Sequence, residues 1–174
     1  MNSLLRPVAE RPFFTHRLAV ALLFMVLEIL SPGGSSRAGD DGLILVTTPR
    51  GDKIYAELAD TPQKRSRGLM FRESLPGDRG MLFAFGEAQA WTFWMKNTKI
   101  PLDIIWMDQD KRIIHVERNV PTCARTDDGC PQYQPNGNAL YVLELSAGAT
   151  ERLKLDRSVK LQFQVPDPRL LPSR

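Results

Sequence analysis

Histidine and cysteine are scarce: the 174 residues contain two of each. His16 lies in an N-terminal stretch that reads as removable, which leaves His115 alone in the remainder. A metal centre with several imidazole ligands is thereby excluded, and so is a two-histidine catalytic arrangement. No HExxH, GxSxG, GxGxxG or P-loop pattern occurs, which removes the commonest signatures of metalloproteases, serine hydrolases, dinucleotide enzymes and nucleotide phosphatases. Net charge is also small. The chain carries +3, but residues 1–38 hold four arginines and two glutamates, so the rest carries +1. That balance supplies no electrostatic footprint for nucleic acid, and no such partner is expected. No internal repeat is visible.

Long apolar runs are missing too, with one informative exception. Leu18 to Leu30 is an apolar run of 13 residues, preceded by Arg6, Arg11 and Arg17 and followed by Ser36-Arg37-Ala38. This is the layout of a cleavable signal peptide, with small residues where a signal peptidase reads them. A retained anchor is the competing reading. It would need about 20 apolar residues, whereas this run is shorter and contains Glu28. The sequence therefore predicts cleavage after Ala38, a mature chain starting at Gly39, and a periplasmic or secreted bacterial protein with no membrane attachment once cleaved. No cysteine lies near the cleavage point, so a lipoprotein is excluded.

The two cysteines fit that compartment. Cys123 and Cys130 flank a segment containing Asp127-Asp128-Gly129, a turn-forming composition. An even pair in an oxidising compartment predicts a disulfide rather than free thiols or half a metal site.

The rest alternates β-type runs with turn clusters. A flexible leader is predicted at 39–42, a β-rich domain at 43–165 and an irregular tail at 166–174. Predicted strands are Leu43 to Thr48, Lys53 to Leu58, Gly80 to Phe85, Ala90 to Lys96, Leu102 to Asp108, Arg112 to Arg118, Leu140 to Leu145 and Ser158 to Val165. Ile104 to Met107 is apolar on both faces, so that strand should be covered on both sides. One helix is signalled by Thr61 as cap, Pro62 at its first position and Gly68 after its end. A second is expected from Ser146 to about Leu153. Residues 119–138 read as a long polar loop holding the cysteine pair. The expected class is mainly β (α+β), a small barrel-like or sandwich-like domain with two short helices.

Chemistry concentrates in Trp91 to Asp103, where aromatics interleave with Lys96, Asn97 and Thr98. Asp103 opens a strand, so its carboxylate should sit at the edge of the core and need a partner. Lys96, Arg67 and Arg72 are the nearest cations by motif. Arg67, Arg72, Lys96, Asn97 and Asp103 are therefore the candidate ligand-binding residues, with a purely structural ion pair as the alternative. His115 alternates with Glu117 on one strand and can pair with it, though an ordinary half-exposed strand histidine explains the pattern as well. Met70, Met81, Met95 and Met107 are thioethers that could hold Cu(I) with cysteine, but each also sits where it simply packs.

Three ordered stretches resemble a known family. RGLMFRESLPGDRGMLFAF, FWMKNTKIPLDIIWMD and YVLELSAGATERL are similar to the family catalogued as domain of unknown function 192, over about Leu43 to Gln164. The resemblance implies a small β-rich, barrel-like domain, usually exported, with no assigned reaction. Similar members often place Gly after the acidic turn where this chain has Lys111.

The expected function is a non-catalytic ligand-binding or accessory module of the cell envelope. It needs no cofactor or metal, works as a monomer, and takes a small molecule or an envelope component. Two rivals stand beside it. One is an envelope hydrolase using Asp103, Glu117 or Glu144 as acid or base. The other is soft-metal handling by Met and Cys.

Overall fold

Alternation decides which way each strand faces, and in this chain it sorts the core into two layers. The computed structural model describes residues 42–125 and 127–166. The predicted signal peptide, most of the leader and the end of the tail lie outside the described residues. The strands are β1 (Leu43–Thr47), β2 (Lys53–Ala59), β3 (Arg79–Gln89), β4 (Phe93–Trp94), β5 (Leu102–Met107), β6 (Ile113–Val120), β7 (Gln132–Tyr133) and β8 (Ala139–Ser146). The helices are α1 (Pro62–Arg67) and α2 (Ala149–Arg152). Six strands form one sheet in the order β1-β2-β3-β8-β5-β6, and β4 pairs with β7 in a second, two-stranded sheet.

Every residue of β5 is buried, as expected of a strand covered on both faces. Leu102, Ile104 and Trp106 join one apolar layer with Met81, Phe83 and Val142. Ile105 and Met107 join the other with Leu82, Leu143 and Leu145. Phe93, just outside the sheet, packs edge-on against Phe83 at 4.9 Å and Trp106 at 5.8 Å. These layers bury large apolar side chains, each worth roughly 1.5–3 kcal/mol relative to exposure.

β2 and β3 run parallel, so the chain crosses over between them, and α1 lies on that crossover. The Thr61 hydroxyl accepts from the Lys64 N–H at 3.2 Å, Pro62 occupies the first turn, and the Gly68 N–H donates to the Lys64 carbonyl. Gly68 adopts φ 48° and ψ −138°, a conformation that penalises any side chain. Gly80 is required for a different reason. A Cβ there would lie 2.7 Å from the Glu144 carbonyl oxygen, so β3 and β8 approach too closely for one.

Four expectations are corrected. Ala90 to Lys96 is not one long strand: Phe93–Trp94 pairs with Tyr133 and Gln132 and Lys96 makes one isolated bridge, because its aromatics pack onto the main sheet's face instead of extending an edge. Ser146 does not cap a helix. It ends β8, its hydroxyl donates to the Leu75 carbonyl at 2.7 Å, and α2 starts after Gly148 in the left-handed region. The stretch from 119 to 138 is not wholly loop, since it contains the end of β6 and all of β7. Ser158 to Val165 forms no ladder. It makes isolated bridges, Lys160 to Arg112 and Gln162 to Thr47. Segment 159–162 thus bonds to β1 on one side and to Lys111 and Ile113 on the other, spanning both edges of a sheet that is not closed.

Lys111 takes the left-handed conformation, φ 65°, that glycine adopts at least cost. Its Nζ donates to the Phe163 carbonyl at 2.6 Å and lies 4.9 Å over the Phe163 ring. Those contacts offset a backbone cost on the order of 1 kcal/mol.

Candidate functional site

Asp103 is fully buried, but no cation meets it. It follows Leu102 and precedes Ile104, both in the other layer, so it faces the layer that holds Ile105. Its Oδ1 accepts from the Asn119 N–H at 2.8 Å. Its Oδ2 accepts from the Thr150 N–H at 2.8 Å and from the Thr150 hydroxyl at 2.7 Å. Three neutral donors satisfy the carboxylate without an ion pair. The expected cluster of Asp103 with Lys96, Arg67 and Arg72 does not form.

Arg72 pairs with Glu57 through two parallel hydrogen bonds of 2.5 and 2.7 Å. That fork holds the Glu57 carboxyl below its usual range. Asn97 adopts φ 56° and Phe71 φ 66°. The two loop tips are tied by the Phe71 N–H donating to the Asn97 carbonyl at 2.7 Å, and Phe71 is left 59% exposed. Lys96 pairs with Asp128 and lies 5.3 Å over the Trp94 ring. The backbone at Lys96 also bridges to Cys123, which is disulfide-bonded to Cys130 with a Cα–Cα separation of 5.9 Å. The stapled loop therefore presents Asp128 to Lys96. Reduction should lower stability by about 2–3 kcal/mol in the chain-entropy account of so short a loop. Thermal melts with and without reductant check this, and an unchanged midpoint would show that the staple carries no stability.

Arg67 and Lys96 do share a place, whose centre the sequence put forward only as a hydrolase's acid or base and not among the ligand-binding residues. Both line a narrow cleft of about 40 Å³, between α1 with the turn after it and the segment around β4. Leu69, Phe83 and Phe93 form apolar walls with the buried Thr98, and the half-buried Met70 and Trp94 complete the lining. Glu144 also lines it. This residue lies on β8 between Met81 of β3 and Ile104 of β5, and it is only 4% exposed. Its Oε2 is cut off from solvent and has no hydrogen-bond partner among the described residues. Burial pushes its carboxyl up to about 8, so at neutral pH the group is chiefly the neutral acid, able to donate. The signal was present in YVLEL: one acid in a strand whose neighbours are all apolar. Larger hollows exist, of about 500 Å³ beside β1, about 470 Å³ around His115 and about 460 Å³ where Arg67 and Arg72 meet Glu57. None of the three is lined by a buried polar atom that lacks a partner among the described residues.

The remaining candidates separate. His115 Nε2 meets Glu117 Oε1 at 2.9 Å and its Nδ1 meets Arg157 at 3.3 Å, away from the cleft. Asp103 and Glu144 face opposite sides of the sheet, so they form no carboxylate pair. Met107 lies in one layer while Met81 and Met95 lie in the other. The cysteines are spent on each other. The four methionines therefore do not converge on one soft-metal site.

A protein of Sinorhizobium meliloti, carrying the provisional description of transcription regulator, is 32% identical with a TM-score of 0.60. The match covers 70% of this chain and 92% of that one. A protein of unknown function from Novosphingobium aromaticivorans is 34% identical with a TM-score of 0.61, covering 69% of this chain and 83% of that one. No curated protein matches the chain. The profile of a family of unknown function, DUF192 (“Uncharacterized ACR”), matches residues 45–163, which take in every strand but the first two residues of β1. By that match the chain is a member of the DUF192 family.

Proposed function

We propose that the protein is an exported, non-catalytic binding module of the bacterial envelope, which takes a small molecule into the Glu144 cleft. One observation carries the reading: a buried carboxyl oxygen without a partner faces a cleft whose lining includes Arg67 and Lys96. Buried polar groups are nearly always satisfied, so an orphan at the floor of a cleft points to a ligand that completes it. The N-terminal pattern and the Cys123–Cys130 bond support export. Asp103 faces away from Glu144 across the sheet, and Glu117 is engaged by His115, which speaks against a hydrolase's carboxylate pair.

The test is native mass spectrometry of protein recovered from the periplasm. The expected species begins at or near Gly39 and carries a bound small molecule. Arg67→Ala and Lys96→Ala should lose that molecule while melting within a few degrees of wild type, because Arg67 is exposed and the Lys96–Asp128 pair at the surface is worth about 0–1 kcal/mol. An intact Met1 in the membrane would overturn export. A ligand retained by both variants would overturn the site.

A further inference from the structure

The cleft has two tiers of different chemistry. Its floor is Glu144, whose orphaned Oε2 lies among apolar side chains. Burial is the cause of its raised pKa, with no contribution from a neighbouring charge, so the cations do not crowd the floor. The other charged groups lining the cleft are Arg65, Arg67 and Lys96. Arg65 is engaged by the Asp60 and Ala84 carbonyls and the Phe85 ring. Lys96 is shared with Asp128. Arg67 is exposed and belongs to no ion pair among the described residues.

A ligand that fits must offer an acceptor to the floor and negative charge to the mouth. The space is about 40 Å³, against roughly 30 Å³ for one water in the liquid. It admits a small planar head and leaves the remainder of the ligand outside. Resting on the reading of this cleft as a small-molecule site, we propose that it binds the carboxylate group of a small organic acid. The Glu144 carboxyl donates a hydrogen bond to one ligand oxygen, and Arg67 and Lys96 balance the charge at the mouth. The half-buried aromatic and thioether lining, Trp94 and Met70, meets the organic part. A carboxyl-to-carboxylate hydrogen bond is charge-assisted and short, and it forms only while Glu144 keeps its proton. Ionised Glu144 would face the ligand with like charge. Affinity should therefore hold from about pH 6 to 7 and fall as pH passes through the pKa of Glu144. The loss should be about tenfold between pH 7 and pH 9, the ratio of the protonated fractions for a group titrating near 8.

The experiment titrates isotopically labelled protein, purified from cells expressing the full chain, with propionate, benzoate, benzamide and inorganic phosphate. Amide shifts at Gly68, Met70 and Lys96 are followed at pH 7 and pH 9. Propionate or benzoate should move these amides with the tenfold pH effect, while benzamide and phosphate should not. Glu144→Gln should bind with an affinity that no longer varies with pH, and Arg67→Ala should weaken binding severalfold at both pH values. Benzamide binding as well as benzoate would overturn the carboxylate and leave the small-molecule cleft standing. Phosphate binding better than either acid would do the same. A Glu144→Gln variant with the wild-type pH effect would overturn the role of Glu144. If no probe moves these amides, the proposal fails, and the co-purifying ligand then decides separately whether the cleft is a binding site.

Discussion

Glu144→Gln should make the protein more stable at neutral pH, by about 3 kcal/mol at pH 7 if the full linkage is realised. The carboxyl titrates near 8 in the folded protein against 4.5 ordinarily. Between those values the unfolded chain has released a proton that the folded chain still holds. Raising the pH through this window therefore favours unfolding. The contribution of Glu144 to wild-type stability should be greatest below the unfolded value of 4.5, fall across the window, and level off above about 8. Glutamine keeps the shape, does not titrate and should flatten that slope. Its amide still seeks an acceptor on the cleft floor, which trims the gain. Urea unfolding of both proteins near pH 5, 7 and 9 checks this. The curves should converge at the acid end and separate as pH rises. Parallel curves would mean that Glu144 ionises in the folded state without penalty.

Asp103→Asn should act in the opposite direction and for a different reason. The Asp103 oxygens together accept three hydrogen bonds from Asn119 and Thr150, deep in the layer that contains Ala149. Asparagine turns one oxygen into a donor, which then faces another donor. Leaving buried hydrogen-bonding groups unsatisfied costs roughly 1–3 kcal/mol, and more where a charged acceptor is lost, so a loss of about 3 kcal/mol is expected. The cleft lies across the sheet, so ligand binding by the folded fraction should be unchanged. Denaturant melts beside a benzoate titration separate the two effects. A variant as stable as wild type but impaired in binding would return Asp103 to the site.

The two carboxyl groups show what the sequence can and cannot convey. β5 is legible because six consecutive buried positions leave a run of apolar residues on both faces. The first helix is legible because Thr61, Pro62 and Gly68 are local signals read within about two turns. Asp103 is misread because its partners are donors from residues 16 and 47 positions away, two of them backbone N–H groups that every residue carries. Sequence supplies side-chain charge, so a cation is sought where amides suffice. Arg67 and Lys96 line one cleft, yet the buried acid that lines it with them is Glu144, on a strand that pairs with β3 and β5 rather than with its sequence neighbours. Alternation places Glu144 on the same face as Val142. Only the pairing shows that this face leads into a cleft. Ser158 to Val165 alternates like a strand, but it meets two edges that diverge, so only single bridges form.

Segment 159–162 also sets the order in which the domain can be completed. Its bonds to Thr47 join positions 115 residues apart, and closing such a span costs chain entropy before any contact repays it. Topologies built on distant pairings fold slowly. During synthesis β1 must wait, with one edge open, until residue 162 has left the ribosome. A shortened chain ending before residue 159 would present β1 and β6 as unsealed edges, ready to pair with other copies.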